Sequence, residues 1–341
     1  MQRFPAWVVR RSDDGAASTA ALETLDAEFL DALGAREDGP ALDTVVRVEY
    51  SSVNFKDALA LTGKPGVVRR SPLVAGIDLT GTVLSTTHPD WCRGDLVTLN
   101  GAGLGETLHG GLAGRAHVDG NRLVRVPATM TPRHAAALGT AGFTAMLAVL
   151  RIERHGVSPA DGPVLVTGAS GGLGSLAVAL LARAGFEVTA STGRTETQSG
   201  FLRDLGATTV IDRGELGEPG RPLQRQRWAA VIDAVGGPTL VNAVAQLRHG
   251  GIAAACGNAQ SADYAGSVFP FILRGATLAG IDSVQASREE RLAAWARLER
   301  DVDVAALDGM TSVVPISAAR EVAERVLSGG VRGRTVIETG G

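Results

Sequence analysis

The chain has 341 residues, of which 45% are apolar, and a formal net charge of −3. This length allows two domains or one large domain, and the apolar fraction is sufficient for substantial cores. The slightly acidic balance excludes the one-sided basic surface that binding to nucleic acid or to an anionic membrane requires.

The amino-terminal residues 1–10 lack the apolar segment of a signal peptide, and no run approaches the about 18 apolar residues of a membrane helix. We therefore expect a cytoplasmic protein with no membrane partner. The two cysteines, Cys92 and Cys256, are too few for a disulfide framework or a cysteine-rich zinc site. Each is expected to be a small buried apolar residue.

The first part of the chain has the pattern of a strand-rich domain without βαβ rhythm. A surface loop or insertion is predicted between Asp31 and Leu42, which contain two glycines and a proline. Short strands punctuated by glycine and proline follow, at Val45–Val53, Asp78–Ser85, Leu96–Leu99, Gly111–Val118 and Arg122–Val126.

A buried strand, Val164–Thr167, then runs into a glycine-rich turn that ends in a helix of small apolar residues, Ser175–Ala184. Gly168, Gly171 and Gly174 allow a tight turn, close approach of backbone N–H groups to a pyrophosphate, and close packing of helix on strand. The pattern predicts a dinucleotide cradle. A tight turn with no ligand is the alternative.

The following strand, Glu187–Ser191, indicates which dinucleotide binds. A cofactor with a free 2′-hydroxyl usually meets Asp or Glu about 20 residues beyond the glycines. The chain instead has Thr192, Gly193 and Arg194, which suit a 2′-phosphate and favour NADPH over NADH, unless Arg194 is merely solvated. Arg213 either flanks the adenine or the phosphate or is solvated.

Strands continue to alternate with helices up to Asp282, which predicts an α/β fold with a Rossmann-type, doubly wound parallel sheet. A strand, an amphipathic helix and a final strand, at Ser312–Ile316, Ala318–Leu327 and Arg334–Glu338, follow. We expect this tail to complete the strand-rich domain, with residues 1–129 and 305–341 in one domain and residues 130–304 in the other. The six predicted strands of the sheet are Val164–Thr167, Glu187–Ser191, Thr208–Asp212, Ala229–Ala234, Ile252–Ala255 and Thr277–Ile281.

Several stretches resemble the zinc-independent medium-chain dehydrogenase/reductases, and within them the acrylyl-CoA reductase branch of the quinone oxidoreductase-like proteins. The similarity covers nearly the whole chain from about Val45 onward. The stretches are Tyr50–Ala60, Gly76–Val83, Gly139–Met146, Ser191–Arg194, and Phe269–Gly275 followed by Gly280–Val284.

The resemblance implies a GroES-like domain built from both chain ends, a Rossmann-type domain inserted between them, and a cleft where nicotinamide meets substrate. In metal-dependent relatives a His-Glu pair commonly stands at the position of Ile77 and Asp78. The six histidines show no spacing for a zinc site. His109 is expected to be a hydrogen-bonding surface residue of the loop 101–111 rather than a catalyst.

Without zinc as Lewis acid, conjugate reduction of an enone, an enoyl thioester or a quinone is the expected chemistry. The catalytic candidates are Asn54 as amide donor, Lys56 as enolate stabiliser or proton donor, and Asp57 as the group that orients Lys56. A structural ion pair at a helix start is the alternative for Lys56 and Asp57. No tyrosine donor is evident, so the proton is expected from water.

The remaining cofactor contacts follow from the resemblance, and each candidate could instead be a turn or packing residue. Ser170, Gly171, Gly172 and Leu173 are expected at the pyrophosphate. The nicotinamide end is assigned to Phe55, Asn258, Ile272, Ser283 and, more weakly, Arg334.

The substrate predicted by the resemblance is a short α,β-unsaturated acyl thioester such as acrylyl-CoA. Relatives of that branch carry tryptophans in the loop 101–111, whereas this chain has Ala102, Leu104 and Leu108. Lys64, Arg69 and Arg70 either meet coenzyme A phosphates or are solvated. The alternatives are an NADPH quinone or enone reductase and a non-catalytic NADPH-binding protein. The resemblance also implies a homodimer.

Overall fold

The structure is a computed structural model that describes residues 3–12, 18–32 and 42–341. It divides the chain into two compact units. Unit 1 comprises residues 1–140, 283–299 and 307–341, and unit 2 comprises residues 141–282 and 300–306. The loop predicted between Asp31 and Leu42 falls mostly outside the described residues; Asp31 belongs to a helix that ends at Ala32.

Unit 1 begins with strands and short helices. The strands are β1 (Phe4–Arg11), β2 (Ser18–Leu25), β3 (Thr44–Ser52), β4 (Leu73–Val74), β5 (Asp78–Thr86), β6 (Leu96–Asn100), β7 (Arg115–Val118) and β8 (Val124–Arg125), and the helices are α1 (Ala27–Ala32), α2 (Phe55–Leu61) and a 3-10 turn at Gly120–Arg122. The sequence pattern did not predict β1 and β2, because β2 buries only Ala20 and Leu25 and so lacks a clear alternation.

The boundary between the units lies within helix α3 (Pro132–Arg154). The other elements of unit 2 are a 3-10 turn at Pro159–Asp161, the strands β9 (Val164–Val166), β10 (Val188–Thr192), β11 (Thr209–Asp212), β12 (Trp228–Asp233), β13 (Leu247–Ala255) and β14 (Thr277–Gly280), and the helices α4 (Gly172–Arg183), α5 (Thr195–Asp204), α6 (Gly214–Gly217), α7 (Gly237–Ala245) and α8 (Phe269–Arg274).

The six strands of unit 2 form one sheet in the order β11-β10-β9-β12-β13-β14, and every described pairing is parallel. This confirms the predicted doubly wound sheet. Val164, Leu165 and Val166 of β9 are all 0% exposed, because helices cover both faces of such a sheet. Strand order reverses between β9 and β12, and ligands of doubly wound folds bind at that reversal, beyond the carboxyl ends of the strands.

The carboxyl-terminal part of the chain returns to unit 1. Its elements are α9 (Arg288–Asp301), α10 (Val304–Gly309), β15 (Thr311–Pro315), a 3-10 turn at Ile316–Ala318, α11 (Ala319–Leu327) and β16 (Arg334–Glu338). Residues 300–306, at the end of α9 and the start of α10, belong to unit 2. The last strand pairs antiparallel with β3, so that Val336 lies opposite Ser52. This pairing confirms that the tail completes the strand-rich, GroES-like domain.

Two sheets are described in unit 1. A three-stranded sheet has the order β2-β1-β4, and a seven-stranded sheet has the order β15-β16-β3-β5-β6-β8, with β7 paired to β3. Val46, Val48, Leu79 and Val97 from three neighbouring strands meet in one buried cluster. Complete burial of each such side chain stabilises the fold by about 1.5–3 kcal/mol.

The units differ from the predicted domains in three places. The first boundary lies at Thr140 rather than at residue 129, residues 283–299 belong to unit 1 rather than to the Rossmann-type domain, and residues 305 and 306 belong to unit 2. The first two differences have a physical cause in unit 1, where Asp78 bonds Thr140 and the buried guanidinium of Arg291 holds the carbonyls of Ser283 and Val284.

Helix α3 has the length and the apolar composition of a membrane-spanning helix, with a mean hydropathy of 1.6. No such run was expected from the sequence. Of the apolar window, 78% is buried inside the protein. The helix is also broken at Gly139, whose φ of 48° and ψ of −155° are not helical. Burial and the break identify α3 as a core helix of this fold.

Candidate functional site

The predicted glycine turn lies where strand β9 meets helix α4. Gly168 has a φ of +60°, and a Cβ on Gly174 would lie 2.3 Å from the Gly168 carbonyl oxygen. Only glycine therefore fits this close approach of helix to strand. Ser170, Gly171, Gly172 and Leu173 occupy the turn and the start of α4, where backbone N–H groups lack intrahelical partners and favour an anion.

A buried carboxylate supports the sheet at its switch point. Asp233 ends β12, is 0% exposed, and accepts hydrogen bonds from the Thr167 hydroxyl at 2.6 Å and from the Gly236 N–H at 2.7 Å. Burial raises the pKa of this carboxyl above its ordinary value. Sequence analysis missed Asp233; its place at the end of a strand beside the central strand was the available signal.

At the end of β10 the structure brings together the residues expected at a 2′-phosphate. The Ser170 and Thr192 hydroxyls are 2.9 Å apart, and Arg194 Nη2 donates to Ser170 Oγ at 2.8 Å. A Cβ on Gly193 would lie 2.5 Å from Arg213 Nε, so this glycine lets the second arginine approach. Burial lowers the pKa of Arg194, which nevertheless stays cationic.

These residues fit a phosphorylated dinucleotide. Two hydroxyls and two guanidiniums converge beyond the second strand of the sheet, and no carboxylate among the described residues hydrogen-bonds Ser170 or Thr192. A 2′-phosphate needs cations and N–H or O–H donors, which this cluster supplies.

The other cofactor candidates are placed as follows. Gly236 lies in the turn that Asp233 holds at this edge of the sheet. Asn258 is close to that turn, since its Cα lies 3.4 Å from the position that a Cβ on Gly236 would occupy. Ile272 is 67% exposed on α8, and Phe55 is 36% exposed at the start of α2. Ser283 lies in unit 1 and is only 9% exposed. Their contacts with a cofactor remain predictions.

The centre of unit 1 is a buried network of hydrogen bonds around Asp78. Its carboxylate accepts from the Ser52 hydroxyl at 2.6 Å, the Asn54 amide at 2.7 Å, the Asn100 amide at 2.9 Å and the Thr140 hydroxyl at 2.6 Å. The residue is 1% exposed. Its carboxylate oxygens are therefore occupied by protein donors.

Arg334 belongs to the same network. Its guanidinium donates to the Ala137 carbonyl at 2.6 Å, to Ser52 Oγ at 2.8 Å and to Asn54 Oδ1 at 3.1 Å, and the residue is 2% exposed. Burial lowers its pKa, while Asp78 and Asp57 act in the opposite direction. The structure thus places Arg334 in the interior as a structural cation. Its contact at the nicotinamide end stays a prediction.

Two of the three catalytic candidates have structural roles here. Asp57 is 1% exposed, and its carboxylate accepts from the Asn54 N–H at 2.8 Å and the Ile77 N–H at 2.8 Å. The Asn54 amide donates to Asp78 and, at 3.1 Å, to Asp57. Asp57 therefore does not pair with Lys56 in the structure. The roles of Asn54 and Asp57 toward a substrate stay predictions.

The partner of Lys56 is Glu106, whose Oε1 lies 2.7 Å from the lysine Nζ. Lys56 and Asp57 are adjacent on a helix, and adjacent helical residues do not face each other. The acid that pairs with the lysine lies 50 residues further along the chain, in the loop 101–111, which sequence spacing could not reveal.

His109 and the cysteines also differ in part from expectation. His109 is 9% exposed rather than on the surface; its Nδ1 accepts from the Val74 N–H at 3.0 Å, and burial lowers its pKa to about 4. Cys92 is exposed, so its predicted burial is wrong, whereas Cys256 is half-buried. Within the described ranges, no three His, Cys, Asp or Glu side chains form a group that could hold a metal ion.

Comparison with known protein families gives two matches. Residues 40–131 match the alcohol dehydrogenase GroES-like domain, and residues 172–300 match the zinc-binding dehydrogenase domain. These matches cover the two kinds of fold described above.

Three relatives are similar over nearly the whole chain. Acrylyl-CoA reductase AcuI of Ruegeria pomeroyi is 42% identical over 98% of this chain and 99% of its own. The crystal structure of Escherichia coli YhdH with bound NADPH superimposes with a TM-score of 0.92 at 42% identity, covering 98% of this chain and 99% of that one. The putative quinone oxidoreductase YhfP of Bacillus subtilis is 38% identical over 89% of this chain and 92% of its own, and its NAD-bound structure gives a TM-score of 0.90.

The break in α3 generates a prediction about stability. A Cβ on Gly139 would lie 2.6 Å from Asp78 Oδ2 and 2.9 Å from Arg334 Nη2, at a φ of +48°. Gly139→Ala should therefore lower the free energy of unfolding by at least about 2 kcal/mol. Gly200→Ala, in α5 with no atom within 4 Å of the new Cβ, is the control and should be neutral or slightly stabilising. Urea unfolding followed by circular dichroism measures both, and equal effects would contradict the argument.

Asp57 generates a prediction about pH. Burial, and then the charge of Asp78, raise its pKa from 3.8 to about 7, so the folded state binds a proton more tightly than the unfolded state. Its contribution to stability should be fully present below about pH 4 and should fall by about 2–4 kcal/mol as the pH rises to about 7. Asp57→Asn removes this titration.

The measurement is the urea midpoint of both proteins at intervals between about pH 4 and 8. The wild type should lose stability relative to Asp57→Asn as the pH rises. A difference that stays constant, or that changes with the opposite sign, would show that Asp57 is ionised in the folded protein throughout this range.

Proposed function

The chain belongs to the quinone oxidoreductase-like group of the medium-chain dehydrogenase/reductases, and on that basis we propose that it uses NADPH to reduce the carbon–carbon double bond of a short α,β-unsaturated acyl thioester such as acrylyl-CoA. The observation that carries the proposal is the cluster of Arg194, Ser170 and Thr192 in a chain that is 42% identical to an acrylyl-CoA reductase over nearly its full length.

The residues of unit 2 would hold the cofactor. Ser170 to Leu173, at the start of α4, would lie against the pyrophosphate, and Ser170, Thr192, Arg194 and Arg213 would hold the 2′-phosphate. When bound, NADPH supplies a hydride. The turn around Asp233 and Gly236 fixes the edge of the sheet that this cofactor approaches.

Cofactor choice is tested by Arg194→Ala. The variant loses a charge-assisted contact worth about 1.5–3 kcal/mol, so NADPH affinity should fall roughly 10- to 150-fold while NADH affinity barely changes. Fluorescence titration of the two cofactors measures this. Arg203→Ala, on the exposed last turn of α5, is the control and should alter neither affinity. Equal losses for NADPH and NADH would refute the assignment.

The chemistry follows from what the protein groups of unit 1 can do. The Asp78 carboxylate is saturated by protein donors, so it does not serve as a metal ligand in this arrangement. Lys56 is the catalytic candidate that keeps an accessible polar group, with 41% of its side chain exposed. An ammonium group suits the oxygen of an enolate, the anion that conjugate reduction generates from a thioester or an enone.

A second candidate function is reduction of a quinone or an enone without a thioester. It is favoured by the relative named as a putative quinone oxidoreductase. Both candidate reactions use NADPH, and both need a donor that stabilises negative charge on the substrate oxygen.

A substrate panel separates the candidates. NADPH consumption should be fastest with acrylyl-CoA among enoyl thioesters, enones and quinones, and ethanol should not be oxidised with NADP⁺. From NADPH deuterated at C4, deuterium should appear at the substrate β-carbon, with the α-proton derived from solvent. Activity should survive dialysis against a strong chelator.

The outcomes are distinct. Preference for a quinone or a larger enone would establish the second candidate. Deuterium at the carbonyl carbon, or loss of activity together with stoichiometric zinc, would refute conjugate reduction by a metal-free enzyme. No turnover with any compound of the panel would favour a non-catalytic NADPH-binding protein.

We also propose that the protein is a homodimer formed at strand β14. This strand is the last of the sheet and pairs only with β13 among the described residues. The adjacent segment exposes Val268 by 62%, Phe269 by 46%, Ile272 by 67% and Leu273 by 59%. An open strand edge beside exposed apolar side chains is suited to pairing with a second copy across a two-fold axis.

Light scattering at micromolar concentration should give twice the chain mass of 35.1 kDa. Val268→Glu, at a position 62% exposed, should shift the protein toward the monomer, because it places a charge in the apolar contact. Leu292→Glu, at a position 46% exposed on α9, is the control and should leave the mass unchanged. A monomeric wild type would refute the dimer.

A further inference from the structure

Lysine is rare in this chain. Of 33 lysines and arginines, only Lys56 and Lys64 are lysines. The two residue types are not equivalent, since the lysine ammonium is a compact point charge with three donors on a flexible stem, whereas the guanidinium is a planar fork. Lys56 therefore offers a group that none of the arginines of this chain can supply.

The ammonium of Lys56 is held by one acid and is open to a ligand. Its Nζ lies 2.7 Å from Glu106 Oε1, and the two side chains are 41% and 11% exposed. One of the three N–H groups serves this bond, which leaves two available to a substrate oxygen. The largely buried acid fixes the direction in which the exposed lysine extends.

The loop that carries Glu106 is itself held rigidly. Ala102 has a φ of 52°, a left-handed conformation that is strained for a residue with a Cβ. The Gly110 N–H bonds the Val74 carbonyl at 2.9 Å, and the Arg69 N–H bonds the Glu106 carbonyl at 2.9 Å. A Cβ on Gly105 would lie 2.9 Å from the Gly76 nitrogen. Glu106 is thus a fixed anchor, and such strain is typical of functional loops.

We propose that Glu106 is a positioning residue that holds the Lys56 ammonium for hydrogen bonding to the enolate oxygen of the substrate. The inference rests on the proposed reduction. When hydride adds to the β-carbon, the substrate forms a C–H bond there, its C=C π electrons shift toward the carbonyl oxygen, and NADPH is oxidised to NADP⁺. Lys56 stabilises the oxygen anion, and the α-carbon then takes a proton from solvent as the carbonyl re-forms. Without Glu106 the lysine stem samples many rotamers, and this orientation is lost.

The first test is a double-mutant cycle with the best substrate of the panel. Glu106→Gln keeps an acceptor but removes the charge, and should lower kcat roughly 10-fold with little change in KM. Lys56→Met should lower kcat roughly 100-fold or more. Adding Glu106→Gln to Lys56→Met should not lower kcat any further, because Glu106 acts through Lys56. Glu106→Asp, which retains the charge on a shorter stem, should recover part of the loss.

The matched control is Glu23→Gln, which breaks the exposed Arg10–Glu23 ion pair of the same unit and should leave kcat unchanged. Losses that multiply in the double variant, or a fall in kcat for Glu23→Gln as large as that for Glu106→Gln, would overturn the positioning role.

The second test needs no turnover. With ¹⁵N-lysine the protein should give two ammonium signals, assigned by Lys56→Met. Glu106→Gln should shift the Lys56 signal and raise its rate of acetylation relative to Lys64, which serves as the internal reference. An unchanged Lys56 signal would overturn the inference even if the wild type is active. A wild type that reduces no compound of the panel but shows the expected shift would instead refute the proposed function.

Discussion

The structure of unit 1 depends on the burial of Asp78 and Arg334 in one hydrogen-bonded network. The two charged groups share Ser52 and Asn54 as partners, and the network also reaches Asn100 and Thr140. A buried charge is expensive unless it is paired and fully hydrogen-bonded, so each member is needed by the others. Because its members come from strands β3, β5, β6 and β16 and from helix α3, the network joins both ends of the chain into one domain.

This network also explains how the fold keeps a carboxylate buried at position 78. A buried carboxylate needs nearby positive charge or hydrogen-bond donors. Here the Asp78 oxygens are occupied by hydroxyl and amide donors, and the nearby positive charge is the guanidinium of Arg334. The break at Gly139 is part of the same solution, since a side chain at that residue would enter the space where Asp78, Arg334 and Ser52 meet. Conjugate reduction, which places negative charge on a substrate oxygen, then depends on donors outside the network, and Lys56 is the candidate donor.

In unit 2 the candidate cofactor-binding residues are positioned by the parallel sheet itself. A parallel sheet gathers the carboxyl ends of its strands at one edge. The glycine turn after β9, Thr192 at the end of β10 and Asp233 at the end of β12 therefore lie at the same edge. Each of these groups is positioned by its own strand and by contacts to the neighbouring strand. This local character is why cofactor recognition could be inferred from a short stretch of sequence, whereas the polar network of unit 1 could not.

The sequence by itself determined the doubly wound sheet, the glycine turn after its first strand, the grouping of Ser170, Thr192, Gly193 and Arg194, and the return of the last strand to the first domain. These features depend on residue periodicity and on glycines at fixed spacing, which are local properties of the chain. Only the tertiary structure decided the partners of the charged residues. Asn54 and Arg334 are 280 residues apart in sequence and Lys56 and Glu106 are 50 apart, yet each pair is in contact. Sequence proximity suggested Asp57 as the partner of Lys56, but adjacent helical side chains diverge, and Asp57 instead caps its own helix and bonds Ile77 in the interior. Which acid meets which base depends on how distant segments pack, and the spacing of residues along the chain carries no record of that packing.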